Sequence, residues 1–192
     1  MEVELRYKLP DMEKTKALLS EKGFVFKKAS HQIDIYWLRT EQPDTDTCFM
    51  DGDDSIYMRL RHDVSGGKFS FNLKYINDKI EHGTLHEFEG KLADEEALKN
   101  LDAVWKKIGY KHGTVIDKAR EVFVRGEFTV ALDRVKDVGD FIEIEIMCRD
   151  CDALAVKDRV RAMAAELGLD PDACMPYGYV ELSHWKKIGK AF

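Results

Sequence analysis

The chain has 192 residues, 44% of them hydrophobic and 34% charged, with a formal net charge of −6. This length suits a single domain spanning 1–192 with a sizeable core rather than two small ones. The acidic balance excludes a general binder of nucleic acid or of anionic membranes, because no overall positive field draws phosphate polymers in, and no apolar run reaches membrane-spanning length.

The first element is a strand. In MEVELRYKL, Glu2, Glu4, Arg6 and Lys8 alternate with Val3, Leu5, Tyr7 and Leu9, so one face is ionic and the other apolar. Charge from residue 2 onward leaves no room for a secretory signal peptide. The expected location is therefore cytoplasmic, with Cys48, Cys148, Cys151 and Cys174 reduced. The single CRDC pair is too little for a zinc site.

A helix follows over 11–23, with Asp11 as N-cap and Gly23 as stop. HQIDIYWLR reads as a strand, and TEQPDTDTCFMDGDD, acidic and proline-containing, as a mobile loop over 40–54. SIYMRLRHD, a turn at SGG, and KFSFNLKYI form a hairpin, and TLHEFEGKL is a further strand. The helix over 94–109 places Ala97, Leu98, Leu101, Val104, Trp105 and Ile108 on one face, with acids in its first turn and lysines in its last. VIDKAREVFVRG and EFTVALDRV form a second hairpin, and DFIEIEIMC is the next strand. The last helix, 151–168, carries Leu154, Val156, Val160, Met163, Ala164 and Leu167 as its apolar set.

Like charges recur two apart on these strands: Glu2 with Glu4, Arg59 with Arg61, Glu87 with Glu89, Lys118 with Arg120, and Glu143 with Glu145. Each pair sits on one face of its strand. An ordinary wet face mixes Thr, Ser, Lys and Glu and avoids adjacent like charges, which repel. The repetition predicts faces organised around counter-charges. The fold class expected is α+β: an antiparallel β-barrel of about eight strands with a charged interior tunnel, its apolar exterior covered by helices. Buried cations seek a polyanion, and paired glutamates seek a divalent cation. A triphosphate with bound Mg²⁺ or Mn²⁺ supplies both.

In this order the pairs resemble the CYTH family, also called triphosphate tunnel metalloenzymes. Its ExExK strand is matched by Glu2-Val3-Glu4-Leu5-Arg6. RLR at Arg59 to Arg61, LKY around Lys74, EFE at Glu87 to Glu89, KAR at Lys118 to Arg120, Leu132-Asp133 and IEIEI at Ile142 to Ile146 follow. One departure is Arg6, where the family usually has lysine; arginine keeps the charge but cannot accept a proton.

The resemblance implies an enzyme with the following site. Arg6, Lys8, Arg59, Arg61, Lys74, Lys118 and Arg120 grip the triphosphate. Glu2, Glu4, Glu143, Glu145 and Asp133 hold Mg²⁺ or Mn²⁺, Tyr36, Lys74 and Asp133 serve the chemistry, and Glu87 and Glu89 support it. Gln32, Asp34 and Tyr36, together with the closing YGYVEL, look most like the class IV adenylyl cyclase branch, which converts ATP to cyclic AMP and pyrophosphate. The alternative is a thiamine triphosphatase or inorganic tripolyphosphatase. A non-catalytic polyphosphate- or nucleotide-binding module is a third reading, disfavoured by so many carboxylates among the cations. Trp37, beside Tyr36, is held in reserve as a base-stacking platform. Expected partners are ATP or another triphosphate, with no nucleic acid and no membrane; a homodimer through helices or barrel rim is compatible with the design.

Overall fold

Alternation of apolar and ionic residues produces strands with two unlike faces, and closing such strands on themselves separates the faces. The computed structural model describes residues 2–40, 54–77, 84–148 and 152–191, and within these the side chains outside 54–57, 74–77 and 84–87. The loop expected over 40–54 therefore lies almost wholly outside the described residues, as do the side chains of Lys74 and Glu87.

The described elements run β1 (Glu2–Lys8), α1 (Met12–Glu21), β2 (Val25–Arg39), β3 (Asp54–Asp63), β4 (Lys68–Asn77), β5 (Thr84–Leu92), α2 (Glu95–Lys107), β6 (Tyr110–Arg125), β7 (Phe128–Val135), β8 (Gly139–Met147), α3 (Ala153–Glu166), a 3-10 turn (Pro171–Ala173) and α4 (Tyr179–Lys187). The strands close into an antiparallel barrel in the order β1-β5-β4-β3-β2-β6-β7-β8. β1 pairs along its whole length with β8, and among the described residues it meets β5 at Glu2↔Leu85 and Val3↔Thr84. Further along β1, Met175 N donates to Arg6 O at 2.7 Å, so the C-terminal segment docks on this strand.

The exterior is the apolar side, as the alternation requires. Val3, Leu5 and Tyr7 of β1 join Val130, Leu132, Ile142, Ile144 and Ile146 in one cluster, roofed by Met12 and Leu19 of α1 and by Val160, Met163 and Ala164 of α3. A second cluster places Trp37 of β2 and Leu60 of β3 under Trp105 of α2, the two indoles edge-to-face at 5.2 Å. Trp37 thus points out of the barrel into packing, because residue 37 has the opposite parity to Asp34 and Tyr36. It is no base platform.

The helices begin as their sequences dictate. Asp11 accepts from Lys14 N at 3.0 Å, Asp94 from Ala97 N at 2.8 Å, and Asp152 from Leu154 N at 3.0 Å. Each bond satisfies an amide that the first turn leaves open. The apolar stripes are narrower than expected: Val104 and Ile108 of α2 and Leu154 of α3 are more than half exposed. Helices lying flat on a curved barrel bury only the residues directly beneath them. Cys148 is disulfide-bonded, against the expectation of reduced thiols, with its partner outside the described residues; Cys174 is free. Spacing along a sequence does not report which cysteines the fold brings together.

The fourth helix was not expected, and it closes one end of the barrel. Leu38, Ile116, Val135 and Phe141 share the parity of the charged interior residues on their strands, yet they pack against Tyr179, Val180 and Leu182 of α4. This collar and helix stopper the tunnel. Gly178 caps α4, and a Cβ there would lie 2.7 Å from Glu181 Oε2, so a larger residue would require the buried Glu181 side chain to shift.

Candidate active site

The interior side chains fall into layers that can be followed down four adjacent strands, β1, β8, β7 and β6. At the end away from α4, the half-buried Glu2, Glu4 and Glu145 offer carboxylate oxygens within 4.8 Å of one another. Next come Arg6 on β1, Glu143 on β8 and Arg120 on β6, then Lys118 and Asp133, and last the apolar stopper. Strand register forces this order. Glu4 faces Glu145 and Arg6 faces Glu143 across β1 and β8, and Arg120 faces Asp133 across β6 and β7.

The middle layers are a network of charge-assisted bonds. Arg6 Nε and Nη2 both donate to Glu143 Oε1, at 2.8 and 2.6 Å. Arg120 forks onto Asp133, Nε to Oδ1 at 2.6 Å and Nη2 to Oδ2 at 2.5 Å, and also reaches Glu143 across the intervening strand. Lys118 Nζ lies 3.3 Å from Asp133 Oδ2. On the neighbouring wall, Asp34 takes a bidentate fork from Arg61, 2.6 and 2.7 Å, and a longer contact from Arg59 at 3.5 Å. Asp34 and Asp133 are sealed from solvent, at 1% and 0% exposed.

Burial and pairing set the protonation states. Burial alone would raise the carboxyls of Asp34, Asp133 and Glu143, but the adjacent guanidiniums and the Lys118 ammonium outweigh it and hold all three below the usual carboxylate range. Burial lowers the Lys118 pKa, Arg120 lowers it further, and Asp133 and Glu143 recover only part, leaving it at about 8. Glu145 goes the other way: burial raises its pKa, Glu143 and Glu4 add to that, and its contacts with Glu2 and Arg120 do not cancel them. A carboxylate held in a site short of positive charge fits a cation. Three glutamate oxygens are hard donors suited to Mg²⁺ or Mn²⁺, so Glu2, Glu4 and Glu145 are the residues that could hold one.

The sequence-implied residues therefore separate into groups. Glu2, Glu4 and Glu145 converge on one another, with Arg6 Nη2 3.6 Å from Glu4 Oε1, whereas Glu143 and Asp133 are hydrogen-bonded directly by arginine and lysine. Arg6, Arg59, Arg61, Lys118 and Arg120 all point into the tunnel. Lys8 sits exposed at the end of β1, and Glu89, across from Asn72 on β4, is also exposed. Tyr36 lies on the interior face next to Arg59, and burial raises its pKa. Sequence reasoning missed Tyr179, whose hydroxyl donates to Asp133 Oδ2 at 2.8 Å; its segment YGYVEL had been singled out but given no element and no partner. A cavity of about 410 Å³ lined by Ile33, Val115, Lys136 and Lys187 lies outside the barrel beside α4 and contains none of this chemistry.

Several known proteins share this architecture. A Methanocaldococcus jannaschii protein named as a candidate adenylate cyclase is 29% identical over 188 residues, covering 95% of this chain and 98% of its own length. A solved Pyrococcus horikoshii OT3 protein superposes with a TM-score of 0.78 at 25% identity, over 95% of this chain and 99% of that one. A Hippeastrum protein described as a candidate adenylyl cyclase with a dominant triphosphatase activity matches at a TM-score of 0.65 and 18% identity, over 100% of this chain and 98% of that one. The CYTH domain model matches residues 1–173. A closed eight-stranded barrel with carboxylates, arginines and lysine layered along its bore is thus the setting of that match, and the chain belongs to the CYTH domain family.

Proposed function

We propose that this protein is a metal-dependent enzyme acting on triphosphates, and that it converts ATP to cyclic AMP and pyrophosphate. The observation that carries this reading is the layering of the bore. A three-carboxylate cluster, half-buried, stands directly beside a bank of cations, and the described residues stopper the tunnel beyond the cations. Among the described residues, Leu38, Ile116, Val135 and Phe141 pack against α4 at the deep end, which leaves the carboxylate end for the nucleoside. The polyphosphate tail enters first, and the nucleoside stays beside Glu2, Glu4 and Glu145.

A divalent cation such as Mg²⁺ or Mn²⁺ held by those three glutamates would neutralise phosphate charge and lower the pKa of an attacking hydroxyl. The chain's own residues do the rest. Arg6, Arg120 and Lys118 present N–H groups where a leaving pyrophosphate gains charge, a stabilisation that is strongest away from water. Arg59 and Arg61 line the adjacent wall. Asp133 is engaged by Arg120, Lys118 and Tyr179, and its low pKa keeps it ionised; it anchors cations and is not placed to take a proton. Tyr36, with its raised pKa, stays neutral at pH 7 and packs against the stopper cluster, away from the carboxylate end where the nucleoside sits. In the cyclase reaction the ribose 3′-hydroxyl attacks the α-phosphorus, its proton passes to solvent water, and the bond to the β-phosphate oxygen breaks to release pyrophosphate.

The M. jannaschii relative, similar over nearly the full length, supports the cyclase reading by its name. Hydrolysis of the terminal phosphate is the second reading, since the same fold in the Hippeastrum protein carries a dominant triphosphatase activity. Phosphorus NMR of ATP incubated with the protein and Mg²⁺ or Mn²⁺ separates them. Cyclic AMP with pyrophosphate is the expected product; ADP with orthophosphate would move the assignment to triphosphatase, with tripolyphosphate and thiamine triphosphate tested next. Glu4→Gln should reduce turnover by at least about 100-fold under either reading, as expected when a metal ligand is lost.

A further inference from the structure

Tyr179 lies beyond residues 1–173, which carry the family match, yet it touches three members of the charged network, Asp133, Arg6 and Lys118. Its side chain is buried at 5% exposure. The hydroxyl donates to Asp133 Oδ2 at 2.8 Å. The Arg6 guanidinium carbon stands 4.3 Å from the ring centroid, and Lys118 Nζ stands 5.0 Å from it. The preceding residues complete the grip on Arg6: Tyr177 O accepts from Arg6 Nη1 at 2.6 Å, and Met175 N donates to the Arg6 carbonyl at 2.7 Å.

We infer that Tyr179 is a positioning residue of the triphosphate site, and that the C-terminal segment Met175–Tyr179 orients the Arg6 guanidinium and the Lys118 ammonium. A stacked ring occupies the face of a guanidinium and leaves its edge for hydrogen bonds. An arriving phosphate oxygen can therefore displace Glu143 from Arg6 while the ring and the Tyr177 carbonyl still fix the group's plane. This also gives a reason for arginine at position 6. A lysine has no plane to lay on the ring and no fork to divide between Glu143 and Tyr177. Arg6 and Tyr179 act as a matched pair, and the element carrying the second member is the helix that stoppers the tunnel.

The phosphate end of this inference rests on the proposed function, but the positioning itself belongs to the ligand-free protein, so two measurements are made. The first is NMR of arginine side-chain N–H groups in ¹⁵N-labelled protein without ligand, the Arg6 Nε–H being the signal lost in Arg6→Lys. That signal should keep its ring-current displacement in Tyr179→Phe and lose it in Tyr179→Leu. Tyr179→Met, nearer in volume and without a π face, serves if the leucine variant does not fold. An unmoved Arg6 signal in the leucine or methionine variant overturns the inference.

The second is calorimetric titration with inorganic tripolyphosphate and Mg²⁺ in a double-mutant cycle. Tyr179→Leu should weaken binding about tenfold in the wild-type background and no more than about threefold in Arg6→Lys. Tyr179→Phe should stay within about threefold of wild type. Equal losses in both backgrounds would mean that Tyr179 acts only on the fold. Failure of the wild-type protein to bind tripolyphosphate would count against the functional reading, while the NMR result still judges the positioning.

Discussion

Asp34 shows what a buried carboxylate does in this bore. It is 1% exposed and answers Arg61 and Arg59 from the facing strand. Replacing a buried ion pair with apolar groups can be neutral, but removing one partner leaves charge uncompensated. Asp34→Ala should therefore cost about 3–5 kcal/mol, read as a lowered urea midpoint at unchanged m; a loss below about 1 kcal/mol would show that water already compensates the arginines. Glu145→Gln should behave in the opposite way. Its carboxyl pKa is raised by burial and by its acidic neighbours, so at pH 7 the ionised form costs stability in the metal-free protein. The variant should melt higher than wild type in EDTA and lose that advantage when Mn²⁺ is added. A melting point that did not rise in EDTA would mean the three carboxylates do not strain one another.

At the scale of elements, parity decides nearly everything. One step along β2 separates Tyr36, which faces the bore, from Trp37, which packs beneath α2, so register is fixed wherever one face is apolar and the other ionic. Close approach is the other constraint. A Cβ on Gly90 of β5 would fall 2.2 Å from the Phe71 ring, and Gly90→Val should destabilise by about 1–3 kcal/mol through overpacking; unaltered stability would mean Phe71 can swing away freely. In α4, Leu182 is fully buried in the stopper, and Leu182→Ala should cost about 2–5 kcal/mol, measured by denaturant unfolding. The strands and first three helices were legible because each repeats a period of two or 3.6 over several residues with capping signals at the ends. Strand β5 begins and ends where TLHEFEGKL predicts. The helix α4 was not legible: it spans nine residues, its N-cap is a glycine without a side-chain bond, and it buries Glu181 and Ser183 beside Leu182, so its buried set shows no clean apolar stripe.

For the whole molecule, the paired carboxylates make stability depend on pH with a definite sign. The folded-state pKa values of Asp34, Asp133 and Glu143 lie below their unfolded values. Their contribution is therefore fully present above about pH 4–5 and is lost as pH falls toward the folded values. Unfolding free energy should drop by several kcal/mol between pH 6 and pH 3, and a flat profile there would mean that the network is equally satisfied when unfolded. Lys118, lowered to about 8, acts at the other limb: between pH 8 and the ordinary lysine value the unfolded chain binds more protons, so this group's contribution rises with pH.

The sequence by itself determined the alternation, hence the two-faced strands, the closed barrel with its charges inside, and most of the residues that line it, because side-chain direction along a strand is fixed by backbone geometry. Only the tertiary structure decided which charges meet. It drew Glu2, Glu4 and Glu145 into one cluster and gave Glu143 and Asp133 to arginine and lysine. It also brought Tyr179 back across 173 residues of chain to stand against Arg6. Those outcomes depend on the stagger of the strands around the barrel and on where the C-terminal segment docks on β1, and neither is written in any local period.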